Sequence, residues 1–213
     1  MTEPIRVLIV DDHPVIRRGV RQILSEAHDI GDVGEAATPQ EALALARTQP
    51  WHVMVLDISL PGRGGLDVLK EVRAELPKLP VLILSMHSEE QYAVRALRAG
   101  AAGYLTKETA PERLLDALRR VVDGGRYISP SLADRLAQEL VNDTSRPLHE
   151  TLSDREFDVF KRIGAGRTVG EIARELALSV KTVSGYRANI RVKTGLANNA
   201  AIMKYVLDHQ LLG

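Results

Sequence analysis

Cysteine is absent from this chain of 213 residues, and its absence excludes several kinds of site. Without cysteine there is no disulfide, no thiolate metal ligand and no cysteine nucleophile. Net charge is absent as well, since 28 lysines and arginines balance 28 aspartates and glutamates, so overall charge favours neither nucleic acid nor a membrane surface as a partner. What is present, 45% hydrophobic and 26% charged residues, is ordinary for a globular protein.

Long apolar runs are also missing. No window approaches 18 uninterrupted apolar residues, which argues against a membrane-spanning helix. The first residues, Met1 to Pro4, show no basic segment followed by an apolar one, so they do not resemble a signal peptide. Together these absences predict a cytoplasmic protein with no membrane partner.

The charges are unevenly distributed along the chain. Residues 1–128 carry 16 Lys+Arg against 18 Asp+Glu, whereas residues 152–213 carry 10 against 6. A slightly acidic front and a basic back indicate two domains with different partners. We predict a first domain over residues 1–125, a linker over 126–150 and a second domain over 151–213. Within the linker, residues 131–141 have the pattern of an amphipathic helix, and the polar stretch 142–150 is expected to be flexible.

Strand and helix patterns alternate through the first domain. Strands are predicted at 5–10, 31–36, 53–56, 80–85 and 102–105, each followed by a helix. Such alternation predicts an α/β fold with a five-stranded, doubly wound parallel sheet, in which the first, third and fourth strands are central because they are the most apolar. The second domain has a helical period throughout, which predicts a small all-α domain with helices near 154–164, 168–176, 180–193 and 198–208.

Polar side chains stand where the predicted strands end. Asp11 and Asp12 follow the first strand, Asp57 the third, Ser85 ends the fourth, and Lys107 follows the fifth. The carboxyl ends of parallel strands meet at one edge, and three carboxylates there favour a divalent cation such as Mg²⁺. Taken singly, each has a plainer interpretation: Asp57 as a turn residue, Asp11 and Asp12 as helix caps, and Lys107 as a surface lysine.

Four short motifs of the first domain resemble the receiver domain of bacterial two-component response regulators, which has a flavodoxin-like fold. They are Val10-Asp11-Asp12-His13, Leu56-Asp57-Ile58-Ser59-Leu60-Pro61-Gly62, Leu84-Ser85 and Tyr104-Leu105-Thr106-Lys107. The resemblance covers the whole domain. It implies that Asp57 accepts a phosphoryl group from a phosphohistidine on a sensor histidine kinase.

The same resemblance implies a magnesium site beside Asp57. Asp12 and Asp57 would bind Mg²⁺ directly, Asp11 through water, and Ser59 through its backbone carbonyl. Ser59 and His87 stand at positions that line the path of a hydrolysing water in this family, so we expect them to tune the lifetime of the phosphorylated form.

Three further residues receive roles by this resemblance. Ser85 would hold a phosphate oxygen, Lys107 would pair with the phosphate, and Tyr104 would move inward together with Ser85 on activation. One departure is Glu108, which follows Lys107 where many receivers have proline. A cis peptide bond at that position is therefore less expected.

The second domain contains one strongly basic helix pattern. The segment Lys181 to Lys193 has four positive charges and no acid, and Ser179 is a suitable N-cap for it. A helix pattern at 169–177 precedes it after a short connection. Two helices joined by a tight turn, the second basic, are the outline of a helix-turn-helix. The plainer interpretation is an ordinary helix pair with a basic solvated face.

The motifs Leu152-Ser153-Asp154-Arg155-Glu156, Glu171-Ile172-Ala173 and Lys181-Thr182-Val183 resemble the LuxR-type helix-turn-helix of NarL/FixJ response regulators. The resemblance implies double-stranded DNA as a partner, with Val183 and Ile190 facing the core. The groove-facing positions would be Ser184, Gly185, Arg187 and Ala188. Phosphate contacts are expected from Lys181, Thr182, Arg191 and Lys193. Gly185 offers little base readout, which leaves Arg187 as the one strong candidate for it.

The last helix has an apolar stripe formed by Ala201, Ile202, Tyr205 and Val206. In the family this helix pairs two copies on an inverted repeat. The resemblance therefore implies a homodimer when phosphorylated, and RNA polymerase is a further candidate partner. The alternative is that the stripe only closes its own domain.

Three functions compete at this point. The first is a transcription factor switched by phosphorylation of Asp57, and the second is a DNA binder whose receiver is constitutive. The third is a magnesium-dependent phosphatase with Asp57 as nucleophile. That chemistry usually wants a second acid two residues on, where this chain has Ser59, so we do not expect an enzyme.

Overall fold

The structure is a computed structural model that describes residues 3–61, 64–87, 89–134 and 147–212, without the side chains of Glu90 and Gln91. The chain forms two compact units, Met1–Ala137 and Gln138–Gly213. None of the helices in the described ranges has both the length and the apolar character needed to cross a membrane.

The first unit alternates five strands with five helices. The strands are β1 (Ile5–Val10), β2 (Ile30–Ala36), β3 (Val53–Leu56), β4 (Val81–Ser85) and β5 (Gly103–Thr106). The helices are α1 (Pro14–Ser25), α2 (Pro39–Thr48), α3 (Gly65–Glu75), α4 (Glu89–Arg98) and α5 (Ala110–Val122). All strand pairs are parallel, in the order β2-β1-β3-β4-β5. The predicted fold class is confirmed, with β1, β3 and β4 inside the sheet.

Local sequence explains where these elements begin and how they pack. Thr38 caps α2 by accepting a hydrogen bond from the backbone N–H of Glu41 (3.2 Å). Every residue of β3 is buried, as expected of a strand covered by helices on both faces. Helix α5 buries Leu114 and Leu118 completely. Each such side chain contributes roughly 1.5–3 kcal/mol by leaving water.

Strand register brings the carboxyl ends to one edge. Val10 of β1 pairs with Leu56 of β3, and Ser85 of β4 pairs with Thr106 of β5. Gly65, the first residue of α3, packs directly on the backbone of Asp57, where an added Cβ would overlap the Asp57 carbonyl. The edge that carries Asp57 is therefore closed on one side by the start of α3.

The second unit is helical. A short 3₁₀ helix (Leu148–Thr151) precedes α6 (Asp154–Gly164), α7 (Val169–Glu175), α8 (Val180–Thr194) and α9 (Asn199–Asp208). Ser153 and Thr168 each cap a helix in a reciprocal pair with a glutamate three residues later. Helix α8 ends at Gly195, whose φ of 71° lies in the left-handed region that favours glycine.

The junction differs from the prediction in one part. Residues 130–134 are helical, and the rest of the helix predicted at 131–141 lies outside the described residues. The polar stretch predicted to be flexible up to 150 instead enters the 3₁₀ helix at Leu148. The cause is His149, which is buried with its Nδ1 3.2 Å from the Tyr205 hydroxyl and its ring packed against Phe157. The predicted domain boundaries stay predictions.

Replacing Gly164 by alanine should destabilise the second unit, because the new Cβ would lie 2.5–2.6 Å from side-chain atoms of the buried Val206. We expect a loss of about 1–3 kcal/mol in the free energy of unfolding. Gly170→Ala is the matched control, since nothing lies within 4 Å of that Cβ. Thermal unfolding followed by circular dichroism should show a lower midpoint for Gly164→Ala alone, and equal midpoints would contradict the packing described.

Candidate metal centre and nucleic-acid interface

Lys107 lies between two buried carboxylates at the strand ends. Its Nζ is 2.6 Å from Asp11 Oδ2 and 2.8 Å from Asp57 Oδ2, and the Lys107 side chain is only 5% exposed. The other carboxylate oxygens are held by the backbone: Asp11 Oδ1 accepts from His13 N (2.8 Å) and Asp57 Oδ1 from Ser59 N (3.1 Å). The predicted convergence of Asp11, Asp57 and Lys107 is therefore present.

The charges of this group oppose its burial. Burial raises the pKa of Asp57, and the nearby Lys107 ammonium only partly offsets that effect. Burial by itself would lower the pKa of Lys107, but the two carboxylates outweigh it and the pKa is raised. Lys107 therefore stays protonated, and the negative charge of the Asp57 carboxylate form is poorly solvated.

Asp11, Asp12, His13 and Asp57 form a cluster with the character of a cation site. One ligand atom from each lies within 4.8 Å of the others. Within the described residues, Asp12 Oδ1 is buried and has no hydrogen bond, with His13 Nδ1 2.9 Å away, whereas Asp11 Oδ2 is already paired with Lys107 Nζ at 2.6 Å. A buried carboxylate oxygen that has no hydrogen bond is a suitable ligand for a hard divalent cation. The sequence interpretation included His13 only as part of a motif and missed its place here.

Ser85 and Tyr104 stand beside the acidic cluster. Ser85 is fully buried and its Oγ accepts from His87 N (3.1 Å), while Lys107 N donates to the Ser85 carbonyl (2.8 Å). Tyr104 is also fully buried and donates its hydroxyl proton to the His87 carbonyl (2.8 Å). Because the Tyr104 ring is already inside, an activation step that moves it inward would start from a different conformation.

Ser59 and His87 meet at the rim of the site. Ser59 Oγ lies 3.2 Å from His87 Nε2, and the His87 ring stacks on Tyr92 with centroids 4.6 Å apart. The two side chains predicted to line a water path are thus in contact with each other. The peptide bond between Lys107 and Glu108 is trans, as the absence of proline led us to expect.

Helix α8 has a buried face and an outer face. Val183 and Ile190 are fully buried, so the positions predicted to face the core do so. The outermost stripe, spaced for one helix face, consists of Lys181, Gly185, Ala188 and Val192. Two of these four offer almost no side chain, and Val192 is 85% exposed.

The predicted DNA-contacting residues divide between this outer stripe and its flanks. Thr182 and Lys193 are exposed on one flank together with Asn189, an exposed polar residue that the sequence interpretation missed. Half-buried residues make the other flank: Ser184, Arg187 and Arg191. Arg191 lies near Asn199, with 3.5 Å between Nη2 and Oδ1.

Lys193 already has a partner inside its own unit. Its Nζ lies 2.6 Å from Oε2 of Glu156, which is buried and also accepts from the Ser153 backbone N–H at 2.8 Å. Burial would raise the pKa of Glu156, but Lys193 and Ser153 outweigh it and the pKa is lowered. A phosphate contact by Lys193 would have to compete with this ion pair.

The apolar stripe of α9 packs within its own unit. Ile202 and Val206 are fully buried, and Tyr205 packs its ring against Phe160 with centroids 5.8 Å apart. The exposed apolar side chains of this helix are different ones, Met203 (38%) and Leu207 (60%). The predicted stripe thus closes its own domain, and a second apolar surface remains outside it.

Two family models match the chain in the order of its two units. Residues 7–119 match the response regulator receiver domain, and residues 150–206 match the luxR family of bacterial regulatory proteins. The chain is a two-component response regulator of the NarL/FixJ type. Its family consists of transcription regulators and not of catalytic enzymes, which removes the phosphatase alternative.

Relatives share the whole two-domain arrangement. Response regulator UvrY of Escherichia coli strain K12 is 34% identical over 208 residues, covering 97% of this chain and 95% of UvrY. RcsB of Salmonella enterica serovar Typhimurium, solved on promoter DNA with the phosphomimetic BeF₃⁻, is 27% identical with a TM-score of 0.61. That match covers 96% of this chain and 98% of RcsB. A structure of two RcsB dimers bound to two parallel DNAs is 26% identical, covers the same shares and has a TM-score of 0.60.

Substituting methionine for Lys107 should destabilise the first unit, because two buried carboxylates lose their shared cation. We expect a loss of about 3 kcal/mol in the free energy of unfolding at pH 7. Trp51 is the only tryptophan and lies in this unit, so its fluorescence during urea unfolding gives the measurement. The exposed Lys78→Met is the control and should change stability by less than about 0.5 kcal/mol. An equal effect of the two substitutions would contradict the electrostatic role of Lys107.

Proposed function

We propose that this response regulator is a transcription factor switched by phosphoryl transfer from a sensor histidine kinase to Asp57. The observation that carries the proposal is the pairing of Asp57 with Lys107 at 2.8 Å in a buried site at the carboxyl ends of β1 and β3. A buried carboxylate next to a fixed cation is a suitable acceptor, because the cation can stabilise the charge that arrives with the phosphoryl group.

The reaction needs positioning more than bond-making side chains. A carboxylate oxygen of Asp57 attacks phosphorus, the bond between phosphorus and the imidazole nitrogen of the donor breaks, and the electron pair leaves with the imidazole. Lys107 offsets the charge of the transferred group, and Ser85, at the end of the adjacent β4, donates its hydroxyl to a phosphoryl oxygen.

The acidic cluster supports Mg²⁺ as the cofactor. Asp12 and Asp57 would hold it directly, Asp11 through water and Ser59 through its backbone carbonyl. The buried Asp12 Oδ1, which has no hydrogen bond among the described residues, supports this ligand set. Bound Mg²⁺ supplies positive charge to the phosphoryl oxygens. His13, 63% exposed beside Asp12, is placed to orient that carboxylate.

The second unit is proposed to bind double-stranded DNA through α8. Ser184, Gly185, Arg187 and Ala188 would face the groove, and Lys181, Thr182, Arg191 and Lys193 would contact phosphates. Because Gly185 and Ala188 bring the helix backbone close without reading bases, base readout falls mainly to Arg187, which can pair with guanine. Phosphate contacts position the helix and make the affinity salt-dependent.

Phosphorylated chains are proposed to form homodimers on inverted-repeat sites, as RcsB is found in dimers on DNA. Met203 and Leu207 are the exposed apolar side chains of α9 available for that contact. A cytoplasmic location and a contact with RNA polymerase belong to the same proposal.

Replacing Asp57 by asparagine should abolish phosphoryl incorporation from acetyl phosphate with Mg²⁺, since an amide is not a suitable nucleophile. We expect promoter DNA affinity to rise at least about fivefold on phosphorylation in the wild type and not in Asp57→Asn. Gel separation of phosphorylated from unphosphorylated protein measures phosphoryl incorporation. Gel-shift titration then measures DNA affinity. Asp116→Asn, an exposed acid of α5, is the control and should behave as wild type. If Asp57→Asn binds DNA as tightly as the phosphorylated wild type, the receiver is constitutive and the switching function is wrong.

Arg187→Ala and Lys181→Ala should affect DNA binding differently. Loss of Arg187 should relax base preference at one position by about 1–3 kcal/mol. Loss of Lys181 should weaken binding to all sequences and reduce the slope of log affinity against log salt concentration by about one. Selection from random duplexes followed by titration at several salt concentrations separates the two effects. Lys204→Ala, on α9, is the control. Identical profiles for the first two variants would contradict the proposed division of roles.

A further inference from the structure

The chain that follows α5 continues along the edge of the sheet. Tyr127 forms a parallel bridge with Gly103 of β5: its N–H donates to the Ala102 carbonyl (3.0 Å), and its carbonyl accepts from Tyr104 N (3.2 Å). Gly103 permits this approach, because a Cβ at that position would lie 2.7 Å from the Tyr127 carbonyl oxygen. The first residues of the linker therefore extend the sheet beside β5.

Two residues further on, the linker binds α4. Ser129 donates its hydroxyl to the carboxylate of Glu89, the first residue of α4, and the Ser131 hydroxyl lies 3.5 Å from the same carboxylate oxygen. Ser129 Oγ also accepts from Leu132 N (3.2 Å), and Leu132 is only 2% exposed. We call this set the linker latch: Tyr127, Ser129 and Leu132 on the linker, with Glu89 as their anchor.

The latch shares its contacts with the proposed switch. Tyr104 binds the linker through its backbone and the β4–α4 connection through its hydroxyl, which donates to His87. Burial raises the pKa of Tyr104, and the Glu89 carboxylate adds to that effect because it is close enough to act on the phenol. A change in the position of Tyr104 or of the start of α4 would therefore be felt directly by the linker.

We propose that the linker latch couples the state of Asp57 to the DNA-binding unit. Tyr104 holds the docked linker through its backbone N–H and the β4–α4 connection through its hydroxyl, so a phosphoryl group on Asp57 that favours this position of Tyr104 also favours the docked linker. Coupling of this kind is reciprocal: undocking the linker opposes the active conformation. The inference rests on the proposed phosphorylation of Asp57 and assigns the step by which that event reaches the linker.

Ser129→Asp is the sharpest variant for testing the latch. An aspartate keeps an acceptor for Leu132 N, so the helical turn stays capped, but it sets a second carboxylate against Glu89. Adding Glu89→Gln should restore the contact with its donor and acceptor exchanged, because the glutamine amide can donate to the aspartate. Glu112→Gln, at an exposed first-turn position of α5, is the matched control.

The absence of cysteine makes a direct readout of docking available. Leu132→Cys in the full chain would carry the only thiol, and its rate of reaction with a thiol reagent measures how often the linker undocks. We expect labelling to slow at least about fivefold when BeF₃⁻ and Mg²⁺ are added, and to quicken in Ser129→Asp. Hydrogen exchange of peptides covering 127–134 gives the same information without the cysteine, should Leu132→Cys fail to fold.

Ser129→Asp should also reduce the phosphorylation-dependent gain in DNA affinity at least about fivefold while Asp57 still accepts the phosphoryl group at saturating acetyl phosphate, and Glu89→Gln should restore the gain. The inference is overturned if Ser129→Asp leaves labelling, exchange and DNA affinity unchanged, or if BeF₃⁻ binds without altering linker protection. A failure of the proposed function is distinct, since phosphoryl incorporation into the wild type would then be missing.

Discussion

The ion pair of Lys107 with Asp11 and Asp57 is the interaction on which the first unit depends. Three ionisable groups of this kind, almost fully buried, would each cost several kcal/mol to remove from water if they stood alone. Together they offset one another's charge, because the sheet register places the ends of β1, β3 and β5 at one edge. The same arrangement that makes the acid cluster tolerable also leaves it poised for a change of charge, since any group added to Asp57 must share the Lys107 ammonium.

Much of this arrangement could be predicted from sequence because its determinants are local. Apolar runs such as Val53–Leu56 end in a polar residue, so parallel pairing alone is enough to place Asp57 near Asp11. The cap predicted at Ser179 is also local, and it is confirmed: its side chain accepts from the backbone N–H of Thr182, three residues later, at 3.0 Å. The burial of Val183 and Ile190 was implied by the family resemblance, and it is confirmed.

What could not be predicted depends on partners distant in sequence. Lys193 looks like a free cation in its own helix, but Glu156, 37 residues away, holds it. In the sequence His149 stands in a polar connection, but in the structure it contacts Tyr205, 56 residues away, in the second unit. The sequence allowed two roles for the apolar stripe on α9, pairing two copies or closing its own domain. The packing of Val206 against Gly164 shows that it closes its own domain. The latch at Glu89 was missed for the same reason, since serine and glutamate at positions 40 apart carry no local pattern.

The 3₁₀ helix at Leu148–Thr151 has a practical meaning for dissecting this protein. With His149 buried between Phe157 and Tyr205, the segment before α6 is part of the hydrophobic core of the second unit and not a tether to it. A fragment cut at Leu152, where the first LuxR-type motif begins, would open that core to water and leave the Tyr205 hydroxyl without its histidine. A fragment intended to bind DNA by itself should therefore begin no later than Pro147.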